Sequence, residues 1–205
     1  MRKKLFLSTL SLLAFAAVAS AGPITFSFLE NGLGNLGTSS TFTESGVSLT
    51  AYSSPGDTLY AKNEGPGEVG LGTGSDFEHE INTGNFVQLN VLTSPIMDIT
   101  TLFFGSIQTA TLGEQVDIYY STTLGSLGTL LGTVSATGSS ITGSFNVSGY
   151  GYTSGYYGIT AGVGNIELAG ATVNVPSNVP DGGSTVALLG GTLAMLGLLR
   201  RRLRL

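Results

Sequence analysis

The residues of this sequence best suited to chemistry crowd one glycine-bent acidic stretch. Glu64 and Glu68 flank Pro66 and Gly67, and Gly70 and Gly72 lead on to Asp76, Glu78, His79, Glu80 and Asn82. Asp76, Glu78 and Glu80 stand at alternate positions, so an extended backbone would turn all three carboxylates to one side. With Asn82 and backbone carbonyls they would offer Ca2+ the oxygen ligands it takes at about 2.3–2.6 Å. The D-x-[DN]-x-[DN]-G order of an EF-hand loop is missing. A solvated acidic loop is the competing reading of the same residues.

Nucleophilic chemistry has little to work with. The chain has no cysteine, which excludes thiol catalysis, cysteine-ligated zinc, iron–sulfur clusters and disulfide staples. His79 is the only histidine. A serine triad would have to use it, yet no G-x-S-x-G elbow occurs, and beside Glu78 and Glu80 it reads as an exposed loop residue. A two-carboxylate glycosidase needs only a suitably spaced pair of acids, but no pair is marked out, and the expectation is a protein that is not an enzyme. Tyr150, Tyr152, Tyr156 and Tyr157 gather in a Gly- and Ser-rich segment. They would either stack on a sugar ring or cover the core from a hairpin.

Charge is placed very unevenly. Seven of the eight basic residues lie near the two ends, leaving Lys62 alone between residues 22 and 180, against twelve of the thirteen acids. One lysine against twelve carboxylates gives that middle a net charge of −11. Such a domain does not bind nucleic acid or an anionic membrane surface through its charge. It suits divalent cations or neutral polysaccharide.

The elements that must position these groups read as strands. Residues 24–28, 46–52, 59–62, 69–71, 86–91, 99–104, 116–120, 129–134, 140–147, 157–161 and 166–173 are short runs, mostly alternating and divided by Gly, Ser, Asn and Pro. Residues between 29 and 45 read as an Asn-, Gly- and Ser-rich loop. No helical period appears between residues 22 and 176. The expected fold is all-β: an antiparallel β-sandwich, jelly-roll-like, over residues 22–174.

The two ends carry addresses. Arg2, Lys3 and Lys4 precede an apolar run over 5–18, and Ala19-Ser20-Ala21 before Gly22 is an A-x-A cleavage site, so residues 1–21 read as a signal peptide cut by signal peptidase. At the other end, residues 175–183 read as a linker ending in Val179-Pro180-Asp181-Gly182-Gly183. Residues 184–199 follow as an uncharged, mostly apolar run, and residues 200–205 carry Arg200, Arg201, Arg202 and Arg204. The run is a little short of the roughly 20 residues that cross a bilayer, and snorkelling arginines make up the difference. These arginines stay cytoplasmic by the positive-inside rule. Val179-Pro180 is an extended dipeptide just outside the membrane, where a processing enzyme reaches it.

This motif, helix and arginine tail resemble the PEP-CTERM class of bacterial sorting signals. Within that class they resemble the Val-Pro-Asp-Ser-Gly variant, with Gly182 in the serine position. The resemblance implies recognition by an exosortase, which cuts near the motif and sends the protein outward after a transient stay in the inner membrane. It further implies a cell-surface or extracellular-matrix protein associated with exopolysaccharide. The Gly70-Leu71-Gly72 run before the acidic residues also resembles a segment of other β-sandwich proteins bearing this signal, and that likeness defines no activity. The alternatives are a calcium-stabilised carbohydrate-binding module or a secreted glycoside-active enzyme.

Overall fold

The computed structural model describes residues 22–75, 77–90, 98–108, 113–137, 141–152 and 154–175, with Gly190 beyond them. The described strands belong to one compact unit. In chain order they are β1 (Pro23–Ser27), β2 (Gly34–Gly37), β3 (Ser39–Glu44), β4 (Val47–Ser53), β5 (Leu59–Gly65), β6 (Glu68–Thr73) and β7 (Val87–Asn90). They continue with β8 (Asp98–Gly105), β9 (Gln115–Ser121), β10 (Thr129–Ser135), β11 (Gly143–Asn146), β12 (Tyr156–Val163) and β13 (Glu167–Asn174). A single 3-10 turn, Ser148–Tyr150, interrupts them.

Two antiparallel sheets result, as a β-sandwich requires. One runs β11-β8-β13-β6-β5-β2, with β1 also on β13; the other runs β10-β9-β12-β7-β4-β3. Three hairpins, β3–β4, β5–β6 and β9–β10, stay within one sheet, while most other connections cross between sheets. Local chemistry explains the tightest turns. Ser45 and Gly46 both take positive φ between paired Glu44 and Val47, the two-residue turn whose twist matches a hairpin. Pro66 and Gly67 (φ 89°) connect Gly65 to Glu68, where proline presets the first corner and glycine accepts the second.

Alternation then fills the core. β4 buries Val47, Leu49, Ala51 and Ser53 while Ser48, Thr50 and Tyr52 stay half-covered. Phe26, Phe28, Phe42, Leu59, Leu71, Leu89, Ile99, Phe104, Ile118, Tyr157 and Leu168 are among the buried residues that meet between the sheets. Each such apolar side chain contributes about 1.5–3 kcal/mol on burial. The expected strands are present in the described residues, and two more were not expected. β2 and β3 occupy what reads as a loop, because only Leu36 and Phe42 in them are apolar. Their hydrogen bonds to β5 and β4 extend one edge of each sheet.

The signal peptide over 1–21, the spanning helix over 184–199 and the tail over 200–205 lie outside the described residues, Gly190 aside. So does the linker beyond Val175. Among the described residues no helix is long and apolar enough to cross a membrane.

One buried amide pins a long connection. Gln88 in β7 is fully buried; its Nε2 donates to Ser126 O at 2.9 Å and its Oε1 accepts from Gly125 N at 2.7 Å. Gln88→Leu leaves both backbone groups unpaired, a loss of about 1–3 kcal/mol. Urea denaturation is expected to show a midpoint lowered accordingly at an unchanged slope.

Candidate functional site

The acidic stretch is not an extended strand. β6 ends at Thr73, and residues 77, 78 and 80 lie in turns and bends before Ile81 forms an isolated bridge with Ile166. Asp76 lies outside the described residues. His79 takes φ 59°, a left-handed conformation that costs a non-glycine residue strain and is held by its surroundings. Its ring is half-buried rather than exposed, because it stacks on Tyr60 with centroids 3.8 Å apart and planes 13° from parallel.

Glycines in β6 let this turn close down. A Cβ on Gly72 would fall 1.8 Å from His79 O, and one on Gly70 would fall 2.6 Å from Leu168 O. Both sites need a bare backbone, one for the turn and one for β13. In β5, opposite, Leu59 and Ala61 enter the core, and alternation turns Tyr60 and Lys62 to the other face. Lys62 pairs across the hairpin with Gly70, so no β6 side chain stands beside it there.

The domain's sole lysine therefore meets the turn. Lys62 Nζ donates to Glu80 Oε1 at 2.9 Å and to Glu78 O at 3.0 Å. Glu167 Oε1 lies 3.4 Å away and the exposed Glu64 Oε2 3.5 Å away. Ser106 Oγ donates to the same Glu80 Oε1 at 2.8 Å. Side-chain exposures of 6% for Lys62, 8% for Glu80 and 0% for Glu167 make this an interior charge cluster. Burial opposes the Lys62 ammonium, but the hydrogen bond and charge of Glu80, with Glu167 and Glu64, hold its pKa above the ordinary lysine range. Burial pushes Glu167 up to about 7, against the pull of Lys62. Neither Glu167 oxygen accepts a well-formed hydrogen bond.

Three of the four residues proposed as calcium ligands have described partners. Glu80 turns inward to Lys62 and Ser106, while exposed Glu78 accepts from Asn165 Nδ2 at 3.3 Å. Asn82 Oδ1 accepts from Gly84 N at 2.8 Å, closing a local turn. Among the described residues no three His, Cys, Asp or Glu side chains gather as a metal site. Lys62, Ser106 and Glu167 were not singled out from sequence as site residues. Two signals point to Lys62 and Glu167, a lone cation among twelve acids and a lone carboxylate inside the mostly apolar run from Ile166 to Val173, while nothing in the sequence marks Ser106.

The four tyrosines differ in how far they are buried. Tyr157 is in the core, and half-buried Tyr156 meets Tyr52 edge-on at 6.1 Å. Tyr152 lies flat on Tyr120 at 3.5 Å and parallel to Tyr150 at 6.1 Å, with Phe145 a further 6.3 Å along from Tyr150. The Tyr150 hydroxyl donates to Leu131 O at 2.7 Å, and the Tyr120 hydroxyl donates to Ser154 O. Tyr150, 40% exposed, brings this row to the surface.

Glu167 sets a pH dependence with a definite sign. Its folded pKa of about 7 stands above the ordinary 4.5, so the folded state holds its proton more tightly. The stability this gives is complete below about pH 4.5 and is lost as pH rises through 7. Denaturant titrations at pH 5, 6, 7 and 8 are expected to show that loss, and Glu167→Gln to remove it. Parallel profiles for the two proteins would contradict the assignment.

The C-terminal address has an independent counterpart. Residues 178–203 match a family model described as the VPDSG-CTERM motif. A search of curated proteins finds no match to the chain. The matched stretch contains Val179, Pro180, Asp181, Gly182 and Gly183 with the arginines at 200, 201 and 202; the described residues end short of it, Gly190 apart. The chain thus carries a PEP-CTERM-like C-terminal sorting motif, the mark of an exported protein handled by a sorting machinery of the exosortase kind.

Proposed function

We propose that this chain is a non-enzymatic surface or extracellular-matrix protein, delivered by exosortase-type processing and associated with exopolysaccharide. The carrying observation is the sorting motif over residues 178–203 behind a single β-sandwich. Signal peptidase would act at Ala19-Ser20-Ala21, and the C-terminal helix would hold the chain in the membrane until it is cut near Val179-Pro180. Replacing Pro180 and Asp181 with alanine is expected to leave the uncut chain in the inner-membrane fraction. Surface delivery of that variant at the wild-type level would sink the reading.

A specific observation supports glycan contact as a second reading. Tyr150 lies in a row of near-parallel rings and holds its hydroxyl on Leu131 O, so a sugar would meet a pre-oriented aromatic edge rather than a free side chain. The test is saturable binding of the protein to the producing cell's own exopolysaccharide, with calcium and with a chelator. Tyr150→Ala is expected to weaken binding about two- to tenfold. Loss of binding on chelation would support a calcium site drawn from Asp76, Glu78, Glu80 and Asn82. Absence of binding in both conditions would leave a passive surface protein.

A further inference from the structure

Buried ion pairs hold because their remaining lone pairs and protons are also satisfied. The cluster around Lys62 breaks that rule at one member. Glu167 has 0% exposure and two oxygens without a hydrogen bond, with Lys62 Nζ its nearest cation at 3.4 Å. Lys62 Nζ meanwhile touches Glu80 Oε1 at 2.9 Å, and Ser106 Oγ points at that same oxygen from 2.8 Å. An amine, a carboxyl group, a hydroxyl donor and a buried carboxylate without a hydrogen bond are the parts of an acyl-transfer site. They lie on four separate segments: β5, the turn after β6, the residue after β8, and the start of β13.

We propose that Lys62 and Glu80 condense into an intramolecular isopeptide bond, with Glu167 relaying the proton. The ammonium passes one proton to the Glu167 carboxylate, leaving a neutral amine. Its lone pair attacks Glu80 Cδ and forms the C–N bond, while Ser106 Oγ–H steadies the negative charge gathering on Oε1. The bond from Cδ to Oε2 breaks, and that oxygen leaves as water, taking one proton back from Glu167 and one from the nitrogen. Ammonium and carboxylate become amide and one water, without net change of charge and without oxidant or reductant.

The surroundings favour this product. The reacting groups are held in contact, which replaces a bimolecular encounter by an intramolecular one. The interior that disfavours two opposite charges accepts a neutral amide. Glu167 Oε1, 3.4 Å from Nζ and without a hydrogen bond of its own, is the carboxylate placed to take the ammonium's proton as the C–N bond forms. Glu64 is the weaker acyl partner, being 62% exposed and 3.5 Å from Nζ. The bond would tie β5 to the segment after β6 across 18 residues of sequence, in an exported chain without any disulfide.

The test uses the full chain, purified in detergent, aged at pH 7 and then denatured. Lys62 is the only lysine or arginine between residues 22 and 180, so trypsin reports on it directly. The expected result is no cut after Lys62. A second digest should then yield a joined pair of peptides, one bearing Lys62 and one Glu80, about 18 Da lighter than their sum, as loss of one water requires. Glu80→Ala and the near-isosteric Glu167→Gln are expected to be cut at Lys62 and to give separate peptides. Cutting of the aged wild-type chain at Lys62 overturns the proposal, as does an 18 Da loss located elsewhere. Cross-linking that persists in Glu167→Gln overturns the relay.

Discussion

An ammonium taken out of water must be matched by carboxylates within a few ångströms, or it destabilises the fold that buries it. Lys62 imposes that constraint here. It is the only cation between residues 22 and 180, and it sits at a position alternating with core residues of β5. The turn that delivers Glu80, the start of β13 that delivers Glu167, and the end of β8 that delivers Ser106 are all placed by meeting it. The left-handed His79 and its stack on Tyr60 are secondary consequences, since the chain must reverse sharply to aim Glu80 inward.

Steric clearance is the complementary requirement. Gly70 and Gly72 give β6 little bulk where β13 and the turn approach it, and Gly105 does the same beside Glu167, whose Oε2 would sit 3.3 Å from a Cβ there. The glycines of this segment are therefore more than hinge points. They open the volume in which charged side chains from β5 and β13 meet across an intervening strand.

The sandwich was largely legible because its strands obey a simple rule. β4, with its strict alternation of buried and half-buried residues, is readable from VSLTAYS alone. β2 and β3 were not, since GNLG and SSTFTE offer one apolar anchor each and owe their extended form to neighbours far along the chain. The acidic stretch was legible as a place where chemistry gathers but not as a geometry. Its alternation suggested a strand, whereas steric access over Gly72 and attraction to Lys62 make it a turn. Glu167 is 87 residues from Glu80 in sequence, and no local pattern joins them. The sorting signal is the opposite case, a linear message complete within residues 178–203.

Because its one lysine is interior, the folded domain shows water a surface with many carboxylate side chains and no cationic one among the described residues. Copies set side by side on a cell would repel one another as a polyelectrolyte layer does. The reach of that repulsion is the Debye length, about 10 Å at 0.1 M salt and about 3 Å at 1 M. The packing density of such a coat would then be set by the ionic strength of the surrounding water, tightening in brine and loosening in fresh water.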